Sequence, residues 1–305
     1  MSESPADLKG AVHDYWNRQS CGTYATEATK HSRSYFEDIE TYRYREQAYI
    51  HEFAQFTRYH GKRVLEVGFG AGTDFIQWLR AGAVVSGIDL TAEGVENLKH
   101  RIAVYHLPAP EHVGVGDAEK LQFPSDHFDL GYSFGVLHHS PNTEQAIGEL
   151  VRVVKPGGQI KLMVYNRNCV CAFKLWVKHA LLRGRPWRSF YSVMWNHLES
   201  VGTKSYNRAE LKRIFTALPL QDIRIHTYVT SADYMAFSAS KPLNLLMRAI
   251  LACAGYRQPW HRSDYQSSEP GKITAHTRTG RAGVLFTGNP LGFFVCISAT
   301  KKDAS

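Results

Sequence analysis

Arg63-Val64-Leu65-Glu66-Val67-Gly68-Phe69-Gly70-Ala71-Gly72-Thr73-Asp74 is the stretch that decides the fold of this 305-residue chain. Val64, Leu65 and Val67 make a short apolar run of strand type. It ends in glycines at alternate positions, Gly68, Gly70 and Gly72, and Phe75 to Leu79 then reads as a helix. Strand, glycine turn and helix in this order leave bare backbone and a helix N-terminus at the carboxyl edge of a sheet, where α/β folds bind ligands.

Outward from that stretch the pattern is regular. Strands are expected at Arg63–Val67, Val84–Asp89, His112–Gly116, Phe128–Phe134 and Gly158–Tyr165, with helices at Thr73–Arg80, Ala92–Tyr105 and Asn142–Val154. Such alternation means a parallel sheet with helices on both faces. Upstream, Leu8–Asn17 and Tyr35–Arg58 read as helices rich in aromatic residues. Downstream the pattern loosens. Helices are expected at Cys169–Leu182, Tyr206–Ala217 and around Leu243–Ala254, and strands at Ile223–Thr230 and Gly292–Thr300.

Charge and composition narrow the field. The net charge is +8, which suits a nucleic acid, an anionic lipid or an anionic small molecule. The basic residues gather outside the glycine-turn core. Arg167, Lys174, Lys178, Arg183, Arg185 and Arg188 face a single acid, Glu199, between Asn166 and Ser200; seven more lie between Lys241 and Arg281 against Asp264 and Glu269. The run Leu243–Tyr256 is too short to span a bilayer and is broken by Arg248. The first residues lack the plan of a signal peptide, so a cytoplasmic location is expected. Five scattered cysteines match no zinc spacing and read as free thiols.

Four features at the strand ends fall in register. Glu66 precedes the first glycine by two residues. Asp89 closes the second strand, where a carboxylate can accept from both hydroxyls of a ribose. Asp117-Ala118 follows the third strand, where an acid can accept from an exocyclic amine. Ser133-Phe134-Gly135-Val136-Leu137-His138-His139-Ser140 follows the fourth.

Together with Gly87-Ile88-Asp89, Gly116 to Pro124, Phe128-Asp129 and Arg152 to Gly158, these motifs resemble the class I S-adenosylmethionine-dependent methyltransferases. The likeness is nearest to the ubiquinone/menaquinone-type, small-molecule branch, and it covers Gly61 to Tyr165. The resemblance implies a Rossmann-like α/β fold: a seven-stranded, mostly parallel sheet with an antiparallel last strand, N-terminal helices and two lid-like insertions. Residues 1–60 would be helical and cover the cofactor, and residues 61–165 would be the core. A basic aromatic insertion (166–205), a core helix and strand (206–230), a second insertion (231–285) and the last core strand with its tail (286–305) would follow.

The resemblance also implies the cofactor, S-adenosyl-L-methionine, leaving as S-adenosyl-L-homocysteine, and no metal. Glu66, Gly68, Gly70 and Gly72 would contact its methionine end and ribose, and Asp89 with Leu90 the ribose hydroxyls. Asp117 and Ala118 would take the adenine, and Ser133 and Phe134 would line the floor near the sulfonium. Tyr15 and Tyr24 would close over it, because family members often fold an N-terminal helix across the site. His138, His139, His197 and Tyr15 are the candidate bases. Trp16, Trp176, Trp187, Tyr191 and Trp195 are the candidate acceptor contacts, and their aromatic lining favours an apolar or aromatic natural-product or isoprenoid-like acceptor, methylated at oxygen or carbon. The basic insertions leave open an anionic acceptor or an anionic membrane surface, and a homo-oligomer is left open too.

Three other readings are weighed. A nucleic-acid methyltransferase would end the fourth strand in an Asn/Asp-Pro-Pro-aromatic motif, and Ser133-Phe134-Gly135-Val136 stands there instead. A nicotinamide-dependent oxidoreductase wants a glycine three residues after Gly70, where Thr73 sits. A non-enzymatic binding protein that kept the pocket is the third.

Overall fold

The computed structural model describes residues 5–233, 249, 278–279 and 284–303. Among them nine strands form one sheet: β1 (Arg63–Val67), β2 (Val84–Asp89), β3 (His112–Val115), β4 (Phe128–Phe134), β5 (Val154–Tyr165), β6 (Leu220–Tyr228), β7 (Arg278–Thr279), β8 (Val284–Gly288) and β9 (Phe294–Lys301). Their spatial order is β3-β2-β1-β4-β5-β9-β6-β8-β7. The first five run parallel, and β9 lies antiparallel between β5 and β6. That is the expected mostly parallel α/β sheet. Two strands more than the expected seven extend its far edge, β8 parallel to β6 and β7 antiparallel to β8. Both fall wholly or partly in the segment read as the second insertion. The rest of that segment, with the helix expected at Leu243–Ala254, lies outside the described residues except for residues 231–233 and 249.

The central strands β1, β4 and β5 are buried over most of their length because helices cover both faces. One face carries Val64, Leu130, Tyr132, Met163 and Cys296 into a core shared with Trp78 and Leu98. Alternate positions Leu65, Val67, Ile160, Leu162 and Ile297 enter the opposite core with Ile147, Leu150 and Ile214. Each fully buried Leu, Ile or Val contributes about 1.5–3 kcal/mol. On this second face α6 (Thr143–Val153) is started by Asn142, whose side chain accepts from the Gln145 amide, and α9 (Arg208–Thr216) by an Asn207–Glu210 capping box.

Ahead of the sheet come α1 (Pro5–Arg18), α2 (Arg33–Glu46) and α3 (Tyr49–Ala54). Between β1 and β3 lie α4 (Phe75–Arg80) and α5 (Ala92–Val104), and after β5 come α7 (Val170–His179) and α8 (Phe190–His197). Arg101 of α5 is wholly buried and ties α2 to the glycine turn. Its guanidinium donates to Ala71 O (3.0 Å), Thr73 Oγ1 (2.8 Å), Phe36 O (3.1 Å) and Glu40 Oε2 (3.0 Å). A buried cation persists only with such satisfaction.

Candidate active site

The carboxyl ends of β1, β2 and β4 open into a cavity of about 320 Å³, roofed by α1 and α2. At Gly70 the backbone is left-handed (φ +52°), and a Cβ built there would meet nothing within 4 Å. Its bare face therefore leaves room on the cavity wall for close approach to the backbone. Gly72 is different: a Cβ there would lie 2.6 Å from Leu98 Cδ1, so this glycine lets α5 pack on the turn.

Asp89 is held ready at the end of β2. Its Oδ2 accepts from the Gly70 amide (2.8 Å), and its Oδ1 accepts from the amide (2.9 Å) and hydroxyl (2.7 Å) of Thr91. Burial nevertheless pushes this carboxyl above the usual range. Asp117 is met from above by Lys9 of α1, whose Nζ lies 2.6 Å from Oδ2 and 3.0 Å from Glu119 Oε2. This bridge lays α1 across the site. Glu66 is buried, with Trp78 Nε1 donating to its Oε2 (3.0 Å). Burial, and then the neighbouring Asp74 charge, push Glu66 well above the usual carboxylate range. Both effects favour its protonated form.

Beneath Glu66 lies a pair that the sequence reading missed. Asp74 is 1% exposed and takes a bidentate Arg43 at 2.8 and 2.5 Å, with the Tyr44 and Tyr132 hydroxyls donating at 3.0 and 2.8 Å. Burial alone would raise the Asp74 carboxyl, but Arg43 and these bonds outweigh it and hold it low. Arg43 also lies 5.1 Å above the Phe134 ring. Asp74 stood in the deciding stretch itself, but nothing in the sequence paired it with a residue of α2.

The opposite half of the cavity is aromatic. Phe134, Tyr165, Phe293 and Phe294 line it with Met163, and Tyr165 stacks on Phe293 at 4.4 Å. Glu199 enters here, accepting from the Tyr165 hydroxyl at 3.1 and 2.9 Å. The carboxylates lining the cavity are Glu46, Glu66, Asp74, Asp89, Asp117 and Glu199, against the cations Lys9 and Arg43. Glu199 was legible only as the single acid of a basic segment.

Of the residues singled out in the sequence, Glu66, Gly68, Gly70, Asp89, Leu90, Asp117, Ala118, Phe134, Trp16, Tyr24 and His139 line this one cavity. The others do not. Ser133 is buried beneath the floor, where its hydroxyl donates to Val67 O (2.9 Å) and ties β4 to β1. Gly72 packs on α5, and Tyr15 is 40% exposed at the rim. His197 stacks on His179 at 4.1 Å, away from the cavity. Trp176 donates from Nε1 to Arg188 O (2.8 Å), Trp187 is 78% exposed, Tyr191 lies under Arg167 and Trp195 under Lys204. Aromatic richness marked the segment, but its rings pack α7 on α8 or meet solvent. Phe293, Phe294, Tyr165 and Met163 form the wall instead.

His138 is wholly buried against the rings of His139 (4.3 Å) and Tyr165 (4.0 Å). Burial, then the His139 and Lys204 charges, hold it well below the usual imidazole range, so it is neutral. The unfolded chain takes up this proton first. Stability should therefore fall by about 1 kcal/mol per pH unit below about pH 6.5. His138→Phe should flatten that slope; urea unfolding at pH 7.0 and 5.5 checks it, and an equal slope in the variant would refute the assignment.

Comparison with known proteins settles what the core is. The model of the family described as "Methyltransferase domain" matches residues 65–162. These residues form a methyltransferase domain. Over 112 residues the chain is 34% identical to the phthiotriol/phenolphthiotriol dimycocerosates methyltransferase of Mycobacterium leprae (strain TN), covering 36% of this chain and 40% of that protein. It is also 34% identical over 124 residues to the fatty-acid O-methyltransferase of Mycolicibacterium smegmatis, covering 40% and 43%. The chain thus spans about two fifths of the length of these curated relatives. The fold of the whole is similar to geranyl diphosphate C-methyltransferase from Streptomyces coelicolor A3(2), solved with Mg2+, geranyl diphosphate and S-adenosyl-L-homocysteine. That likeness has a TM-score of 0.54 at 16% identity and covers 96% of this chain and 98% of that one. No helix among the described residues is long and apolar enough to cross a membrane.

Proposed function

We propose that the chain is an S-adenosylmethionine-dependent methyltransferase acting on a small apolar or aromatic acceptor, at oxygen or carbon. One observation carries this reading: the open face of Gly70, Asp89 and Asp117 line the same cavity as the aromatic wall of Phe134, Tyr165, Phe293 and Phe294. The polar half suits an adenosyl group, and the aromatic half suits an apolar acceptor and a sulfonium charge. The relatives named for a phthiotriol substrate and for a fatty acid support an apolar acceptor. The residues fit the cofactor: Asp89 would hold the ribose hydroxyls, Asp117 the adenine amine and Gly70 the close approach of the backbone. When bound, S-adenosylmethionine supplies an electrophilic methyl group on a leaving thioether. The protein aligns the acceptor, and its roof of α1 and α2 excludes water. Trp16 and Tyr24 close the roof, and Lys9 fastens it to Asp117. We place the reaction in the cytoplasm, with the basic surface as a docking face for an anionic membrane.

Isothermal titration with S-adenosylmethionine and with NAD tests the reading. Micromolar binding of the first is expected, and Asp89→Ala should weaken it by about 10- to 100-fold through the lost charge-assisted bonds. Binding of NAD alone would overturn it.

A further inference from the structure

The group at the acceptor end of the cavity is Glu199. It is the one acid among the six basic residues of 166–200. Its backbone is left-handed, φ +54°, a conformation that a non-glycine residue holds only where its surroundings impose it. Tyr165 donates to both carboxylate oxygens, while the side chain stays 30% exposed on the cavity wall.

His139 stands behind this carboxylate. Thr203 donates its hydroxyl to Ser200 O at 2.6 Å, and Thr203 Oγ1 (3.1 Å) and Ser200 Oγ (3.0 Å) both lie at hydrogen-bond distance from His139 Nδ1, which holds the ring in place. Nε2 is buried 3.3 Å from Glu199 Oε2. A proton lying between this nitrogen and the carboxylate binds both. One nitrogen of His138, one of His139 and an oxygen of Glu199 lie within 4.8 Å of one another. His138 has no route to the cavity, and Trp16 packs on the ring of His139 at 5.3 Å.

We propose that Glu199, backed by His139, is the base that takes the proton of an acceptor hydroxyl, and that the substrate is an alcohol or phenol rather than a carboxylate. This rests on the methyltransferase reading. Glu199 takes the hydroxyl proton as the new O–CH3 bond forms and the C–S bond of the sulfonium breaks. One carboxylate charge and one sulfonium charge disappear together, leaving a neutral ether, a neutral thioether and the proton on Glu199, whose Oε2 lies 3.3 Å from His139 Nε2. Glu199 is the catalytic residue here, and His139, Tyr165, Ser200 and Thr203 are positioning residues. A fatty acid brings no proton at neutral pH and places its charge against Glu199.

The test uses the full chain. Binding of S-adenosylmethionine, within 3-fold in wild type and Glu199→Gln, shows an intact cofactor site; failure in the wild type would count against the methyltransferase reading and not against Glu199. With S-adenosylhomocysteine bound, dodecanol and dodecanoate are then titrated. Glu199→Gln should bind dodecanoate at least 10-fold more tightly than wild type and dodecanol within 3-fold, whereas Glu199→Asp should still refuse dodecanoate. On a long-chain alcohol that the wild type methylates, Glu199→Gln should lower kcat by about 100-fold or more with KM within 3-fold. Unchanged dodecanoate affinity in Glu199→Gln, or kcat above a tenth of wild type, would overturn the proposal. So would activity lost to EDTA and restored by Zn2+, which would assign the three side chains to a metal.

Discussion

Asp74→Asn is expected to destabilise the protein by about 3–5 kcal/mol, the usual result of removing one partner of a buried ion pair. Arg43 would keep its charge with an amide in place of its carboxylate, and one of the Tyr44 and Tyr132 hydroxyls, which now donate to different carboxylate oxygens, would face an amide NH2 instead of an acceptor. At about 2–4 °C per kcal/mol for a chain somewhat smaller than this one, the melting temperature should fall by roughly 10 °C. The pH dependence has a definite sign. The folded Asp74 titrates below its unfolded value, so its stabilisation is present above about pH 4 and is lost as the pH falls through the folded value. Urea unfolding at pH 7 and pH 3.5 measures both effects. Pairing Asp74→Leu with Arg43→Met should recover part of the loss, since two apolar groups leave no buried charge unpaired. A single variant within 1 kcal/mol of wild type would show that α2 is held to the glycine turn by other contacts.

The second large effect is expected from Gly70→Val. A valine there must adopt a left-handed backbone, unfavourable for a β-branched residue by about 1–2 kcal/mol. Its methyl groups would project into the space now open before Gly70. Binding of S-adenosylmethionine should weaken by at least about 100-fold, or about 2.7 kcal/mol, while the melting temperature falls by only a few degrees. Isothermal titration beside a thermal melt separates the two. Binding within 3-fold of wild type would mean that the cofactor does not approach this backbone.

The core was legible because it is written in local terms. The run Val64–Val67, the glycines, and Asp89 and Asp117 at strand ends each occupy a fixed place relative to a strand that periodicity reveals. The rest depends on pairings made across the fold. Arg43 and Asp74 are 31 residues apart and meet only when α2 docks on the turn. Glu199 reaches Tyr165 from a loop after α8, and the sequence announced only that it was an isolated acid. Trp176, Trp187, Tyr191 and Trp195 show the converse. Aromatic composition says that rings will be buried or stacked, but their direction is set by how α7 and α8 pack. The two added strands escaped notice because Arg278–Thr279 and Val284–Gly288 are short and border a polar stretch that reads as loop.

The contrast between the outside and the inside of this molecule acts as a filter in two stages. With a net charge of +8, the protein draws an anion in along its long-range field, whose reach is about a Debye length, roughly 8 Å at physiological salt. At the cavity the sign reverses, because Glu46, Asp74, Asp89, Asp117 and Glu199 line it, beside the protonation-prone Glu66, against Lys9 and Arg43. An anionic surface is therefore attracted but kept outside, whereas a cationic sulfonium is repelled at a distance and welcomed over the last few ångströms. A neutral chain dissolved in an anionic surface crosses both zones without electrostatic hindrance. On the proposed reading, docking on an anionic surface and uptake of the acceptor would thus be governed by charges of opposite sign.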